Sequence, residues 1–186
     1  MNIRLGTKDD IDGVLALQDK YLYAKLSEEE RKEGFVTTPF TIPQIEEAIE
    51  FDGLYIAVNE NEEVIAYAYA ADWTYFKQWE MFRFMISEFP GYSYKGQSIT
   101  TENTFQYGPV CVDKAYRGKG LVYEIFEAIR LDWRERFPIC ITFIGKINAI
   151  SEKVHIQKMG WEIIKEFQYN GKDYLELAYD MEKPAI

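Results

Sequence analysis

The sequence GPVCVDKAYRGKGLV occupies residues 108–122 and runs directly into YEIFEAIR at residues 123–130. An apolar, β-branched strand ends here in a short basic turn, and a helical pattern begins. Backbone N–H groups at a helix start lack intrahelical acceptors, and the helix dipole adds partial positive charge, so such a turn attracts anions. Gly118 and Gly120 let the backbone approach a phosphate where a Cβ would obstruct it, while Arg117 and Lys119 add charge. The stretch predicts a phosphate-binding turn, with an ordinary strand-to-helix turn as the alternative.

The elements around this turn follow in the order strand, helix, strand. Residues 104–112 form a predicted strand, which Gly108-Pro109 interrupts because proline cannot donate to a ladder and glycine often marks a bulge. The helix after the turn carries an apolar stripe, and residues 139–144 are an almost continuous apolar run, typical of a strand buried on both faces. This order predicts a right-handed parallel crossover.

The rest of the chain supplies further strands and helices. Helices are predicted after the N-cap residues Thr7 and Thr41 and over residues 148–158, and Asn170-Gly171 is a strong hairpin-turn signal. The predicted strands are residues 2–5, 54–58, 64–70, 161–169 and 172–180. We therefore predict an α/β fold: a mixed, mostly antiparallel sheet of six or seven strands flanked by helices, with one parallel strand–helix–strand crossover.

The composition is that of a folded protein with an acidic surface. The chain has 186 residues, is 47% apolar and 16% aromatic, and carries a net charge of −10, which predicts a single domain over residues 1–186. Negative charge disfavours nucleic acid and anionic membranes as partners; it suits a cationic amine substrate or serves solubility alone. No signal-peptide pattern is visible, and Cys111 and Cys140 lie in apolar runs, so we expect reduced thiols, no metal site and a cytoplasmic location.

Residues 73–97 are the least regular part of the pattern. Large apolar side chains recur there at roughly helical intervals until Pro90-Gly91, after which residues 92–97 are predicted to be a loop. We expect a helical insertion or lid at about residues 74–98. A packed helix, a subunit contact in a homodimer and a lid over a substrate remain alternatives at this point.

A second constellation lies in residues 148–161, which read NAISEKVHIQKMGW. Steps of three and four return to the same helix face, so Asn148, Ser151 and His155 are predicted to lie near one another. Such a polar stripe lines a groove or simply faces solvent.

The two stretches together resemble motifs A and B of the GCN5-related N-acetyltransferases (GNAT superfamily). Motif A is matched by Arg117-Gly118-Lys119-Gly120-Leu121-Val122, except that the family has Gly or Ala where Val122 stands. Motif B is matched by Asn148, Ser151, His155 and Gly160-Trp161. The resemblance implies a pantetheine arm lying between two splayed strands, and it implies acetyl-CoA contacts from Val110, Cys111, Val112, Arg117, Gly118, Lys119, Gly120, Leu121, Val122, Asn148 and Ser151.

The resemblance also implies acetyl transfer from a thioester to a primary amine of a small molecule. An alkyl amine has a pKa near roughly 10, so it must lose a proton before it attacks. Glu102, just before the fourth strand, is our first candidate for the base, and a backbone N–H near Cys111 or Val112 is the candidate oxyanion donor. His155 is the candidate proton donor to the thiolate, as imidazolium or through a water. The alternatives are a protein or peptide amine as acceptor, an acyl-CoA-binding sensor without catalysis, and a purely structural module.

Overall fold

The computed structural model describes residues 1–185. The strands are β1 Asn2–Leu5, β2 Leu54–Val58, β3 Val64–Ala71, β4 Ser93–Tyr94, β5 Gln97–Ser98, β6 Thr104–Val112, β7 Ile139–Gly145, β8 Glu162–Tyr169 and β9 Lys172–Asp180. The helices are α1 Ile11–Tyr21, α2 Glu28–Arg31, α3 Ile42–Glu50, α4 Trp73–Phe76, α5 Glu80–Glu88, α6 Leu121–Trp133 and α7 Ala149–Glu152; a π-helix, Lys153–Lys158, continues α7.

The main sheet has seven strands in the order β1-β2-β3-β6-β7-β9-β8, and β4 and β5 form a separate two-stranded ladder. Strand β6 runs parallel to β7, whereas β2 is antiparallel to β1 and β3, and β9 is antiparallel to β7 and β8. This confirms the predicted mixed, mostly antiparallel α/β fold with a parallel β6–α6–β7 crossover. The chain divides into two compact units. Its assignment to one acetyltransferase-like domain stays a prediction.

The first unit comprises residues 1–70, 108–130 and 185 of the described chain. Every residue of β2 is buried, and in β3 the alternating tyrosines and alanines are buried on both faces. Helix α3 begins where the sequence predicts, because Thr41 and Gln44 form a reciprocal capping box, with the Thr41 N–H donating to Gln44 Oε1 over 2.9 Å. This unit contains the second part of β6 and the turn that follows it.

The second unit comprises residues 71–107 and 131–184. Residues Ile139–Ile144 lie in β7 and are mostly buried, as their apolar run predicts. Strands β8 and β9 form the predicted hairpin, and Asn170 and Gly171 at its tip have φ of 48° and 70°, the left-handed values that a type I′ turn requires. This unit contains the start of β6, the helix of the second motif and residues 73–98.

Residues 73–98, which we call the aromatic segment, differ from the sequence prediction in two ways. The predicted single helix is two short helices, α4 and α5, and Asp72 caps the first by accepting from the Thr74 N–H. The predicted loop contains the β4–β5 ladder, because Lys95 and Gly96 both adopt positive φ and form a tight turn. Lysine rarely takes that conformation, so the turn carries no sequence signal.

The aromatic segment packs onto its own unit through buried side chains. The Trp73 Nε1–H donates to Thr104 Oγ1 over 2.9 Å, and the Phe82 ring meets that of Phe143, on β7, edge-on at 5.5 Å. These are the contacts of a packed helical layer; the lid and homodimer alternatives stay predictions. Within residues 1–185, no helix combines the length and the apolar character needed to cross a membrane.

Candidate functional site

The glycine turn, residues 117–120, joins the end of β6 to α6 in the first unit. Gly118 and Gly120 have φ of 77° and 89°, a region that residues with a Cβ rarely adopt. A Cβ built on Gly118 meets no atom within 4 Å among the described residues, so the backbone there borders open space. The Tyr123 and Glu124 N–H groups donate to Gly120 O over 2.9 and 3.2 Å, so Gly120 precedes the first turn of α6. The N–H groups of Leu121 and Val122 are the ones that a helix start leaves without an intrahelical acceptor. A helix start of this kind is a place where an anion can bind, and the binding itself stays a prediction.

Arg117 braces this turn. Its Nε donates to Val112 O over 2.9 Å, its Nη1 donates to Glu33 O, and its guanidinium lies over the Tyr21 ring at 4.7 Å. The side chain therefore holds the strand end and the turn together. Lys119 lies over the Tyr116 ring at 4.9 Å and is exposed, so of the two basic side chains it is the one available to a ligand.

Val110, Cys111 and Val112 precede the turn on β6, where Cys111 and Val112 are buried and Val110 is half-buried. Burial raises the pKa of the Cys111 thiol to about 12, so this cysteine is not a thiolate nucleophile near neutral pH. Strand β6 continues through Gly108-Pro109, where sequence predicts an interruption, and its backbone is unusual there: Gly108 has φ of 103° and the Gly108-Pro109 bond is cis.

In the second unit, β6 and β7 pair only over a short stretch of the residues described. The ladder joins Thr104–Gln106 to Ile139–Ile141, and at the next position the Thr142 hydroxyl donates to Tyr107 O over 2.8 Å in place of a backbone bond. The two strands thus stop forming a regular ladder after Gln106.

Asn148, Ser151 and His155 come together as predicted, in what we call the asparagine–histidine helix (residues 148–158). Asn148 is the N-cap of α7, and its Oδ1 accepts from the Ser151 N–H over 3.3 Å. His155 Nδ1 lies 2.9 Å from Ser151 O and 3.3 Å from Ser151 Oγ. Because a carbonyl oxygen only accepts, Nδ1 carries the hydrogen, and the lone pair of the neutral ring is on Nε2.

His155 is deeply buried, with 3% of its surface exposed. The rings of Tyr107 and Trp161 lie 5.9 and 5.8 Å from the imidazole. Burial lowers the pKa of His155 to about 4, although the bond to Ser151 O opposes that shift. The imidazole is therefore neutral near pH 7.

The prediction of a regular α-helix through His155 is wrong, since residues 153–158 are π-helical. The Trp161 N–H donates to His155 O and the Met159 N–H to Val154 O, each over 3.0 Å. Both bonds join residues that are more than four positions apart, whereas an α-helical bond spans four. Such wide turns are often found at functional sites. Two residues that surround the imidazole, Tyr107 and Trp161, were not predicted to contact it. Tyr107 is far from His155 in sequence, and Trp161 lies beyond the end of the helix.

Glu102 lies apart from this helix, in an exposed position of the second unit. Its Oε1 accepts from the Thr101 hydroxyl over 2.9 Å, and this bond lowers the pKa of the carboxyl. It lines a cleft of about 440 Å³ together with Asp72, Trp73, Thr74, Lys77, Thr101, Arg136 and Phe137. The structure brings the motif B residues together, and Glu102 is not in contact with them.

No protein-family model matches the chain, and no curated protein matches it. Solved structures do. A GNAT-family acetyltransferase from Streptococcus agalactiae aligns over 98% of this chain and 96% of its own, with 15% identity and a TM-score of 0.64. A ribosomal-protein-alanine N-acetyltransferase from Brucella melitensis aligns over 97% and 99%, with 18% identity and a TM-score of 0.63.

An acetyltransferase from Salmonella typhimurium, solved with its cofactor acetyl-CoA, aligns over 98% of this chain and 95% of its own, with 16% identity and a TM-score of 0.62. Likeness over nearly the whole of both chains, at such low identity, is likeness of fold. With its mixed sheet, its β6–α6–β7 crossover and these structural neighbours, the chain has the fold of the GNAT acetyltransferases.

Proposed function

We propose that the chain is an N-acetyltransferase that moves an acetyl group from acetyl-CoA to a primary amine of a small molecule. The observation that carries the proposal is the glycine turn, which presents open backbone at the start of a helix of 13 residues. The fold adds weight, since one protein of similar fold was solved with acetyl-CoA.

The residues present fit coenzyme A. The pyrophosphate would bind to backbone N–H groups of the glycine turn and of Leu121 and Val122, with Lys119 free to add a charge. Asn148 and Ser151 offer amide and hydroxyl groups to the amide-rich pantetheine arm, as motif B implies. Both residues also fix the first turn of α7, so their positions are set before any ligand arrives.

The chemistry is acyl transfer without a covalent enzyme intermediate. When bound, acetyl-CoA supplies a thioester carbon, to which the amine nitrogen bonds as the C–S bond breaks, while the amine loses one proton and the thiolate gains one. A backbone N–H of β6 at Cys111 or Val112 would donate to the oxyanion. The Cys111 thiol, held protonated by burial, takes no part.

For His155, the geometry supports proton delivery to the thiolate through a water rather than directly from an imidazolium. An imidazole whose pKa is about 4 is rarely protonated near pH 7, and its Nδ1 hydrogen is committed to Ser151 O. A water that donates to Nε2 and to the leaving sulfur would connect the two. His155 then positions and polarises the proton source.

Glu102 stays the candidate base, although its surroundings make it less basic. Its lowered pKa makes it a weaker base than an ordinary glutamate, and its oxygen already accepts from Thr101. Glu102→Gln tests the role through the acid limb of kcat/KM, which should disappear if this carboxylate accepts the amine proton.

The deciding experiment measures free thiol released from acetyl-CoA in the presence of a panel of small primary amines, with peptides bearing free amines as a second panel. We expect amine-dependent release with at least one small amine. Release with peptides alone would move the acceptor to a protein amine. Tight acetyl-CoA binding without release would indicate a sensor, and the lack of any thermal shift with CoA would refute both binding functions.

A further inference from the structure

Glu176, in the middle of β9, is a carboxyl group that the proposed transfer does not use. Only 1% of the residue is exposed. Its Oε2 accepts from the Tyr92 hydroxyl over 2.8 Å, whereas no donor among residues 1–185 reaches Oε1. A buried acceptor that lacks a hydrogen bond is costly, so one oxygen of this carboxyl is oriented by Tyr92 while the other is open to a donor.

The charges around Glu176 leave it without a counter-ion of its own. Lys165, its ladder neighbour on β8, donates instead to Glu88 of α5 over 2.6 Å. Burial is the largest influence on the pKa of Glu176 and raises it; Tyr92 and Lys165 lower the pKa and Glu88 raises it, and together these influences bring it to about 7. Phe143, its partner on β7, is not titratable. When Glu176 is ionised, a cation placed at Oε1 would therefore meet a carboxylate that no direct ion pair among the described residues engages.

The walls around the carboxyl are aromatic. Phe143 lies directly opposite Glu176 in the β7–β9 ladder, and its ring meets the Tyr174 ring edge-on at 5.7 Å. Tyr92, Phe143 and Tyr174 are each half-buried, so these rings border solvent while Oε1 does not. Rotation of one ring, a fast motion for a partly exposed side chain, would give a ligand access. Aromatic faces also attract ammonium groups.

A second buried acceptor shares this face of the sheet. Gln106 pairs with Ile141 on β7, Ile141 pairs with Ala178 on β9, and Ala178 is two residues from Glu176, so the side chains of Gln106 and Glu176 lie on the same face. The Gln106 Nε2 donates to Tyr107 O over 2.8 Å, which fixes its Oε1 as the acceptor, and no donor within the described residues reaches that oxygen. Both open groups call for a donor.

We propose that Glu176 is the recognition carboxylate for a primary ammonium compound with an apolar substituent, the ammonium donating to Oε1 and the substituent lying against Phe143, Tyr174 and Tyr92. The inference rests on the proposed function in one respect: it makes this amine the acetyl acceptor. The residue pattern does not reveal this role, because the alternation of Tyr174, Glu176 and Ala178 is typical of a solvent-facing strand. Tyr92, in the aromatic segment, contacts the carboxyl, which is buried in the folded chain.

The site has a distinctive proton linkage. An ammonium binds the ionised carboxylate, so binding near or below pH 7 expels the proton that Glu176 holds in the free protein. Affinity should fall about tenfold per pH unit well below the pKa of Glu176 and level off above it. Neither effect follows from binding at an ordinary exposed carboxylate, which is already ionised at pH 6.

The test is titration calorimetry of the full chain with benzylamine, with benzyl alcohol as the uncharged probe, at pH 6.0 and 8.0 in two buffers of different ionisation enthalpy and without acetyl-CoA. We expect benzylamine to bind with release of a proton at pH 6.0, and Glu176→Gln to weaken it roughly 10- to 100-fold and to abolish the release. The matched control is Glu162→Gln, since Glu162 also accepts from a tyrosine, Tyr94, over 2.6 Å but is exposed. It should bind as the wild type does.

Tyr92→Phe keeps the inference testable if Glu176→Gln does not fold. Loss of the Tyr92 bond raises the pKa of Glu176, so the midpoint of the binding–pH curve should move to higher pH. No benzylamine binding to the wild type, equal binding of benzyl alcohol, or an unchanged pH profile in both variants would overturn the inference. Because acetyl-CoA is absent, these results are separate from the thiol-release test: binding without transfer would leave the amine site standing and refute only its use as an acceptor.

Discussion

The glycine turn and the asparagine–histidine helix differ in how each would hold a ligand. The turn uses main-chain groups: Gly118 and Gly120 have left-handed φ, and a Cβ on Gly118 would lie in open space. The helix uses side chains that are already bonded inside the protein, with His155 buried and tied to Ser151 O. One site is exposed and depends on the absence of side chains, and the other is buried and depends on specific ones.

Because of this difference, the two motifs are not equally easy to recognise in sequence. A turn that needs glycine can be recognised in the sequence, because few other residues adopt positive φ. A buried histidine looks in sequence like any polar residue on a helix. The same contrast predicts two kinds of effect. Substitutions in the glycine turn should change the affinity for CoA, and substitutions in the asparagine–histidine helix should change the turnover rate and its pH dependence.

Gly120→Glu should have the largest effect. A side chain at φ of 89° would strain the turn by about 1–2 kcal/mol and place a carboxylate where the phosphate would bind. We expect CoA affinity, measured by titration calorimetry, to fall by more than about 100-fold, equivalent to roughly 3 kcal/mol.

The matched control for that substitution is Gly171→Glu. Gly171 has φ of 70° at the hairpin tip; a Cβ there meets nothing within 4 Å among the described residues, whereas one on Gly120 would lie 3.6 Å from Glu124 Oε1. It should lose similar stability and keep full CoA affinity. Equal losses of affinity in the two variants would mean that the turn contributes only conformation and would contradict the phosphate cradle.

His155→Gln should lower kcat by roughly 100-fold, the usual range for a group that assists proton transfer, and leave the Kd for acetyl-CoA nearly unchanged. Steady-state kinetics and calorimetry measure the two quantities. Lys153→Gln is the control, because Lys153 is exposed on the same helix. Undiminished turnover in His155→Gln would remove this residue from the mechanism.

Much of the fold was readable from sequence because its signals are local. The buried run of β7, the capping box at Thr41 and the Asn170-Gly171 hairpin each depend on neighbouring residues, and each is confirmed. For the site, the sequence brought Asn148, Ser151 and His155 together correctly; the cofactor and catalytic roles of these residues stay predictions.

The features that sequence did not predict have no local signal. The π-helix at Lys153–Lys158 stands where the residue pattern predicts an ordinary helix, and Glu176 accepts from Tyr92, which is 84 residues away along the chain. The two groups also have opposite linkages to pH. Burial is the largest influence on both groups: the pKa of His155 is lowered to about 4 and that of Glu176 is raised to about 7.

These opposite linkages should be separable by urea unfolding at pH 7.5 and 5.0. His155 takes up a proton more readily in the unfolded chain, so its contribution to stability is present above about pH 6.5 and is lost as the pH falls toward 4. Glu176 holds its proton more tightly in the folded chain, so its contribution is present below about pH 4.5 and is lost as the pH rises through 7.

Relative to the wild type, His155→Gln should therefore be more stable at pH 5.0 than at pH 7.5 by about 2 kcal/mol, and Glu176→Gln less stable at pH 5.0 by about 2 kcal/mol. Asp10→Asn is the control. Arg4 lowers the pKa of Asp10 to about 2, so this variant should keep the wild-type difference between the two pH values. Parallel slopes in all four proteins would show that neither buried group titrates as its surroundings imply.

Val122→Ala should have the smallest effect, and it tests the one position where the glycine turn departs from motif A. Val122 is half-buried in the first turn of α6, where the family has Gly or Ala. Removing two methyl groups would let a phosphate approach the backbone more closely, so we expect CoA to bind roughly two- to threefold tighter, about 0.5 kcal/mol. The higher helix propensity of alanine should offset part of the lost packing.

Val64→Ala, a similar truncation at the half-buried start of β3, controls for general loosening of the unit. If Val122→Ala instead weakens binding, the valine contacts the ligand, and this turn holds its anion at a greater distance from the backbone than the two glycines alone would allow.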